Sequence, residues 1–178
     1  MRSEIKINLQ NGEYILAVAD HMVKAAVGRS GVTLAQDKRE GDGKTPAGTW
    51  ALRKIYYRPD RVTLPPTPFE TIPITPRLGW CDDPDHPQYN QAVDLPFQAS
   101  HETLWRHDHA YDVIIPLGYN DAPPMPGMGS AIFFHILHEG RHYTEGCVAI
   151  SRDDMLAILP LLALDTVMII DEAAATDG

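Results

Sequence analysis

The sequence predicts a mainly β domain, a β-sandwich of mixed sheets with short helices. Three observations lead there. The opening stretch Glu4 to Leu9 alternates apolar and polar residues with period two, the pattern of a strand buried on one face. Further runs of strand formers recur along the chain, each closed by turn residues. The 15 prolines in 178 residues argue against long helices and for short strands joined by ordered loops. Hydrophobic residues at 44% and charged residues at 22% are ordinary globular values, and the length suits one core, so a single domain over residues 1–178 is expected.

The elements follow in order. Asn11-Gly12 is a hairpin signal, with Glu13 to Ala19 as the return strand and Asp20-His21 turning into a third strand over Met22 to Gly28. Lys38 to Gly48 is a glycine-rich loop feeding a strand over Thr49 to Tyr57. Pro59 to Pro96 reads as an extended surface segment anchored by Phe69, Ile72, Ile74, Leu78 and Trp80, a flank or lid for whatever site the chain carries. Ser100 is expected to cap a short helix running to Arg106. Asp112 to Leu117 is a strand with Pro116 at an edge or at its own end, and Asn120 to Gly129 is a loop delivering the strand Ser130 to Leu137. Val148 and Ile150 continue as strand. Ser151 caps a helix with Asp153 and Asp154 in its first turn, Met155, Leu156 and Leu159 on its apolar face, and Pro160 as its stop. Thr166 to Asp171 is a last buried strand, and Glu172 to Gly178 a frayed tail.

Composition narrows function. The net charge of −9 opposes binding to a phosphate backbone, so no nucleic-acid partner is expected. No apolar run is long enough to span a membrane, and no secretory h-region follows Arg2, so the chain as given is expected to be cytoplasmic, or periplasmic if its N-terminus was trimmed. Cys81 and Cys147 are too few for a disulfide framework and are expected to be reduced. Gly43-Lys44-Thr45 lacks the upstream glycine of a phosphate-binding loop, where Lys38 stands. The acidic run around Cys81 to His86 lacks the regular oxygen spacing of a hard-cation loop, and reads as a turn. His135, His138 and His142 carry a helix-face spacing in a segment that begins as a strand and contains Gly140. No metal or cofactor is expected, and the oligomeric state is open.

The chemistry centres on Ala131 to Ser151, AIFFHILHEGRHYTEGCVAIS. His135 stands on a strand, and Cys147 follows twelve residues later, after a turn and a return. A thiolate is a strong nucleophile, and a neighbouring imidazole lowers a thiol's pKa and can act as its base. Gly146 has no Cβ to obstruct an approaching carbonyl, and the N–H groups near Gly146 and Cys147 are candidate oxyanion donors. The Thr144 hydroxyl is placed to order the turn. From spacing alone, a small core cysteine and a structural histidine remain the competing readings.

Thr144-Glu145-Gly146-Cys147-Val148 after an upstream strand histidine resembles the signature of the L,D-transpeptidase catalytic-domain family (YkuD-type). GDGKTPAGTW resembles that family's Thr-Pro-x-Gly turn, and GWCDDP…YN, YDV…GYN and GSAIFFH resemble a branch of stand-alone bacterial members. The resemblance spans roughly residues 4 to 171. It implies the family's fold, Cys147 as acyl-accepting nucleophile, His135 as base, the Ile136 carbonyl orienting the imidazole, and Gly146 and Cys147 as oxyanion donors. Two positions depart from the pattern: Glu145 stands where the family has a histidine, and Ala149 where an arginine or asparagine is common. Thr144 and Glu145 become candidate substrate contacts, and Arg141, His142 and Arg152 candidate replacements for a lost carboxylate-binding group. The implied reaction is cleavage of the diamino acid–D-alanine bond of a murein tetrapeptide with transfer to an amine. The alternatives are hydrolysis of recycled murein peptides by an L,D-carboxypeptidase, and non-catalytic peptidoglycan binding. The implied partners are peptidoglycan stem peptides or free murein peptides.

Overall fold

The computed structural model describes residues 3–174. The chain opens with the expected meander: β1 (Glu4–Gln10), β2 (Glu13–Val18) and β3 (His21–Ala25), paired antiparallel in sequence. Asn11 and Gly12 both have positive φ, 51° and 82°, the combination that matches a two-residue turn to the twist of its strands. Two short strands follow, β4 (Val32–Thr33) and β5 (Thr45–Pro46), which pair with each other in parallel across the glycine-rich loop.

The strand predicted over Thr49 to Tyr57 is two strands in different sheets. β6 (Gly48–Ala51) ends before Leu52, and β7 (Ile55–Tyr57) begins after a corner at Arg53 and Lys54. Pro59 to Pro96 carries more regular structure than its composition predicts: β8 (Thr71–Pro73), β9 (Leu78–Cys81) and β10 (Ala92–Asp94). Its anchors behave as expected, since Phe69, Ile74 and Trp80 are buried. The helix predicted from Ser100 is absent. That stretch is β11 (His101–Thr103), paired antiparallel with β9, and the Ser100 carbonyl accepts from Asp82 N instead of opening a helix. A helix of six residues forms too few internal bonds to repay its nucleation, and the open edge of β9 offers the same backbone groups ready partners.

β12 (Val113–Pro116), β13 (Phe133–Ile136) and β14 (Val148–Ile150) follow, and Pro116 lies at the end of its strand, not at the sheet's edge. Helix α1 (Arg152–Ile158) is capped as predicted, the Ser151 side chain accepting from Asp154 N. Pro160 falls in a single 3-10 turn (Leu159–Leu161), and β15 (Val167–Ile170) is the last strand. Of the predicted tail, Glu172–Ala174 forms a 3-10 turn and residues 175–178 lie outside the described residues.

Two five-stranded mixed sheets form the sandwich, in the orders β3-β2-β1-β15-β6 and β14-β13-β12-β7-β8. Their facing sides share one apolar core. Ile5, Ile7, Leu16 and Met168 come from the first sheet, Ile115, Phe134, Ile136 and Ile150 from the second, and Met155 and Ile158 of α1 close one side. A smaller sheet, β10-β9-β11, lies over the outer face of the second and builds a separate cluster with Trp80, Leu104, Tyr111 and Phe133. The strand period assigns the faces of β13. Phe134 and Ile136 point into the sandwich, so Phe133 and His135 point outward into the second cluster. Cys147 belongs to that cluster as well. The proline-rich segment therefore builds one wall of the site-bearing face.

Candidate active site

β13 and β14 are parallel, with Phe134 opposite Val148 and His135 opposite Ala149. The expected turn and return is thus a crossover: the chain leaves β13, loops through residues 137–147 and re-enters the sheet alongside it. Parallel neighbours cannot be joined by a tight hairpin, which is why a long connection separates the two residues. The result places Cys147 beside Phe133, one alternation from His135, on the same outer face.

The turn carrying the cysteine is tightly tied. The Thr144 hydroxyl donates to Cys147 O at 2.7 Å and accepts from Gly146 N at 3.0 Å. Thr144 is therefore used within the turn and is not open to substrate through its hydroxyl. Thr45, fully buried, donates to Gly146 O at 2.8 Å and accepts from Gly28 N at 2.8 Å. The Thr-Pro-x-Gly turn thus holds the cysteine turn from behind. Thr45 was open to recognition, because its motif was singled out, but its partner lies about 100 residues away and nothing local reveals the pairing. Gly146 has φ +141°, and a Cβ there would stand 3.0 Å from Lys44 O, so conformation and space both favour glycine.

The Cys147 thiol accepts from Phe133 N at 3.3 Å and donates to Ala131 O at 3.2 Å. Ala131 is a non-glycine residue with φ 52°, held by a bond from its N–H to Asn90 Oδ1 at 3.0 Å. Asn90 Oδ1 also accepts from Trp80 Nε1 at 2.9 Å. Asn90 and Ala131 lie in the GWCDDP…YN and GSAIFFH stretches, but nothing in the sequence marked them as supports of the thiol. His135 Nδ1 lies 2.7 Å from Ile136 O, so it carries the proton and Nε2 is the basic nitrogen. That is the carbonyl expected to orient the ring. Tyr111 packs edge-on to the imidazole at 5.3 Å.

Electrostatically the resting pair is neutral. Burial pushes the Cys147 thiol up to about 12; the Glu102 charge adds to this, while the Phe133 N–H, Lys38 and Arg106 oppose it. Burial holds His135 down at about 4, with Arg106 reinforcing it and the Ile136 and Ala110 carbonyls and Asp108 pulling the other way. The expectation that the imidazole lowers the thiol's pKa is therefore not met in the resting site. Desolvation outweighs any help from a neutral ring. The oxyanion expectation also changes. Gly146 N–H is bonded to Thr144, which leaves the Cys147 N–H as the candidate donor.

Cys147 and His135 share a cleft of about 280 Å³ whose walls also include Thr144, Glu145, Gly146 and Arg141. Glu145 is exposed and pairs with Arg29 at 2.7 Å. His142 is exposed and lies off the cleft wall. Arg152 is not brought to the cleft. Its guanidinium donates to Asp112 at 2.8 Å and to Arg61 O at 2.7 Å, tying α1 to the segment after β7. Ala149 is fully buried and exchanges backbone bonds with Ala26, joining β14 to the chain after β3. A larger recess of about 480 Å³ shares Ile132 with the cleft but includes neither Cys147 nor His135. No group of three or more His, Cys, Asp or Glu that could hold a metal occurs among the described residues.

The fold and the site together define a mixed-sheet sandwich carrying a buried cysteine and an oriented histidine in one cleft. The family model of the L,D-transpeptidase catalytic domain (YkuD) matches residues 3–170, and the chain belongs to that family. Neither the comparison with curated proteins nor that with solved structures finds a match.

Proposed function

We propose that this domain is a cysteine acyl-transferase acting on murein tetrapeptide stems. The observation that carries the reading is the convergence of Cys147 Sγ and His135 in one cleft, with Nδ1 committed to the Ile136 carbonyl and Nε2 left basic. In the first step Sγ attacks the carbonyl of the diamino acid's L-centre. The Sγ–C bond forms, the thiol proton passes to His135 Nε2, and that proton goes on to the departing amine as the C–N bond to D-alanine breaks. The Cys147 N–H supports the oxyanion. In the second step an amine attacks the thioester, a C–N bond forms, the C–S bond breaks, and the amine's proton returns through His135 to sulfur.

The neutral resting pair fits a thiol that is deprotonated as it attacks, not a standing thiolate. His135 is unprotonated at neutral pH and so already able to act as base.

The test incubates the protein with a disaccharide tetrapeptide, with and without excess D-amino acid, and reads product masses. Exchanged tetrapeptide and a transient acyl adduct on Cys147 are expected. Tripeptide alone would reassign the domain as an L,D-carboxypeptidase. Retained activity in Cys147→Ala would overturn the thiol mechanism. Binding without any turnover would leave a peptidoglycan-binding protein.

A further inference from the structure

The charged groups on the cleft wall are not equally satisfied. Two cations on its wall, Lys38 and Arg106, have protein partners. Lys38 Nζ donates to Asp42 at 2.7 Å and to Arg39 O at 2.6 Å, and Arg106 forms a two-point pair with Asp108. Of the carboxylates there, Glu40 accepts from Ser130 Oγ at 2.8 Å and from the Tyr89 hydroxyl. Asp82 and Glu102 differ. Asp82 Oδ1 and Glu102 Oε2 are both buried and have no hydrogen-bond partner. Glu102 accepts one bond, from Tyr111 OH to Oε1 at 2.8 Å, and that tyrosine packs against His135.

The sheet brings the two carboxylates together. Glu102 of β11 stands opposite Trp80 of β9, and Asp82 lies two residues beyond Trp80, so both project from one face of this small sheet. That face looks onto the cleft holding Cys147. A buried carboxylate oxygen without a donor carries its full desolvation penalty, and two like charges side by side repel. Burial and the neighbouring Asp82 and Glu40 charges push the Glu102 carboxyl up, although Tyr111 and Arg106 oppose them. A cation entering from solvent would relieve both penalties. Three hydrogens on one compact charge suit two open carboxylate oxygens better than a planar guanidinium does.

We propose that Asp82 and Glu102 form a subsite for a primary ammonium group on the peptide substrate, carried either by the diamino-acid side chain of the donor or by the incoming acceptor amine. The inference rests on the peptide-transferase reading above. It adds to it a selectivity: peptides whose amine is acylated bind more weakly, because one oxygen of each carboxylate stays without a donor. Exposed Arg141, on the same wall, is free to meet a carboxylate of the same peptide.

The test measures binding by calorimetry on Cys147→Ala protein, which cannot turn over. Two tetrapeptides are compared, one with a free side-chain amine and one N-acetylated at that amine. A preference of about tenfold or more for the free amine is expected, and Asp82→Asn and Glu102→Gln should each erase most of it while leaving affinity for the acetylated peptide unchanged. The acceptor source is read by titrating a D-amino acid into protein saturated with the acetylated peptide. Loss of D-amino acid affinity in both variants would assign the ammonium to the acceptor. If neither preference depends on Asp82 or Glu102, or if no peptide binds, the subsite is refuted. The comparison of the two peptides on Cys147→Ala protein needs neither carboxylate variant, so a poorly folding Asp82 or Glu102 mutant does not blunt it. Turnover by the intact protein judges the transferase reading separately: amine-selective binding without turnover would sink that reading alone.

Discussion

His135 shows how burial sets chemistry at the level of one side chain. Its imidazole is held neutral to about pH 4 by desolvation, where a free histidine protonates near 6.5. The unfolded chain therefore binds a proton that the native site refuses between those values. Stability contributed by the neutral ring is present above about pH 6.5 and falls as pH drops toward 4, by roughly 3 kcal/mol over the window. Thermal melts of the parent and His135→Asn across pH 4–7 should show a shallower acid dependence in the variant. The same depression fixes the acid limb of acylation: the rate of Cys147 adduct formation should stay high to about pH 5, and a limb centred near 6.5 would mean that the base is not buried as described. Cys147 runs the other way. Its thiol stays protonated well above neutrality, so the thiol and the imidazole rest as two neutral groups.

At the level of elements, the cysteine turn is held by a hydroxyl from another part of the chain. Thr45 satisfies Gly28 N–H and Gly146 O, both buried with it. Thr45→Val keeps the shape and removes both bonds. A stability loss of about 1–3 kcal/mol is expected, with acylation slowed at least about tenfold because the turn loses its backing. Thr45→Ser should restore most of both, as read by melting temperature and adduct formation; a valine variant with parental acylation would show that the turn positions itself. Gly146→Ala asks the complementary question. With φ at +141° and Lys44 O only 3.0 Å from the new Cβ, the turn must shift, at a cost of about 1–3 kcal/mol and most of the activity.

Across the whole molecule, Asp112 joins regions that carry no catalytic group. Fully buried just before β12, it receives Arg61 at 3.1 Å, Arg152 at 2.8 Å and the His109 ring at 2.8 Å. Asp112→Ala would leave Arg61 and Arg152 without their shared counter-charge and separate α1 from the segment beyond β7. A loss of about 3–5 kcal/mol is expected in denaturant melts. The cleft geometry should survive in the folded fraction, since Asp112 is not on its wall. This is also where Arg152 went: a charge that the sequence offered for substrate serves the scaffold instead.

Local pattern carried much of the architecture. The meander through β3, the Ser151 cap and the last strand were readable because each depends on neighbours within a few residues: alternation, an Asn-Gly turn, a serine before two aspartates. His135 and Cys147 were singled out by residue type and spacing, and the resemblance to the L,D-transpeptidase motif then implied their pairing and the Ile136 carbonyl beside the ring. What the chain does at long range was not readable. The stretch from Ser100 became a strand because β9 offered it an edge, and Thr49 to Tyr57 split because its halves found partners in opposite sheets. Only the tertiary structure decided that β14 lies parallel to β13, that Thr45 and Asn90 brace the site, that Gly146 N–H is already bonded, and that Asp82 and Glu102 each face the cleft with one oxygen lacking a donor. Those are pairings between residues tens of positions apart, and desolvation follows from them. A sequence states which groups are present, but the balance between a charge and its burial exists only once the walls around it have closed.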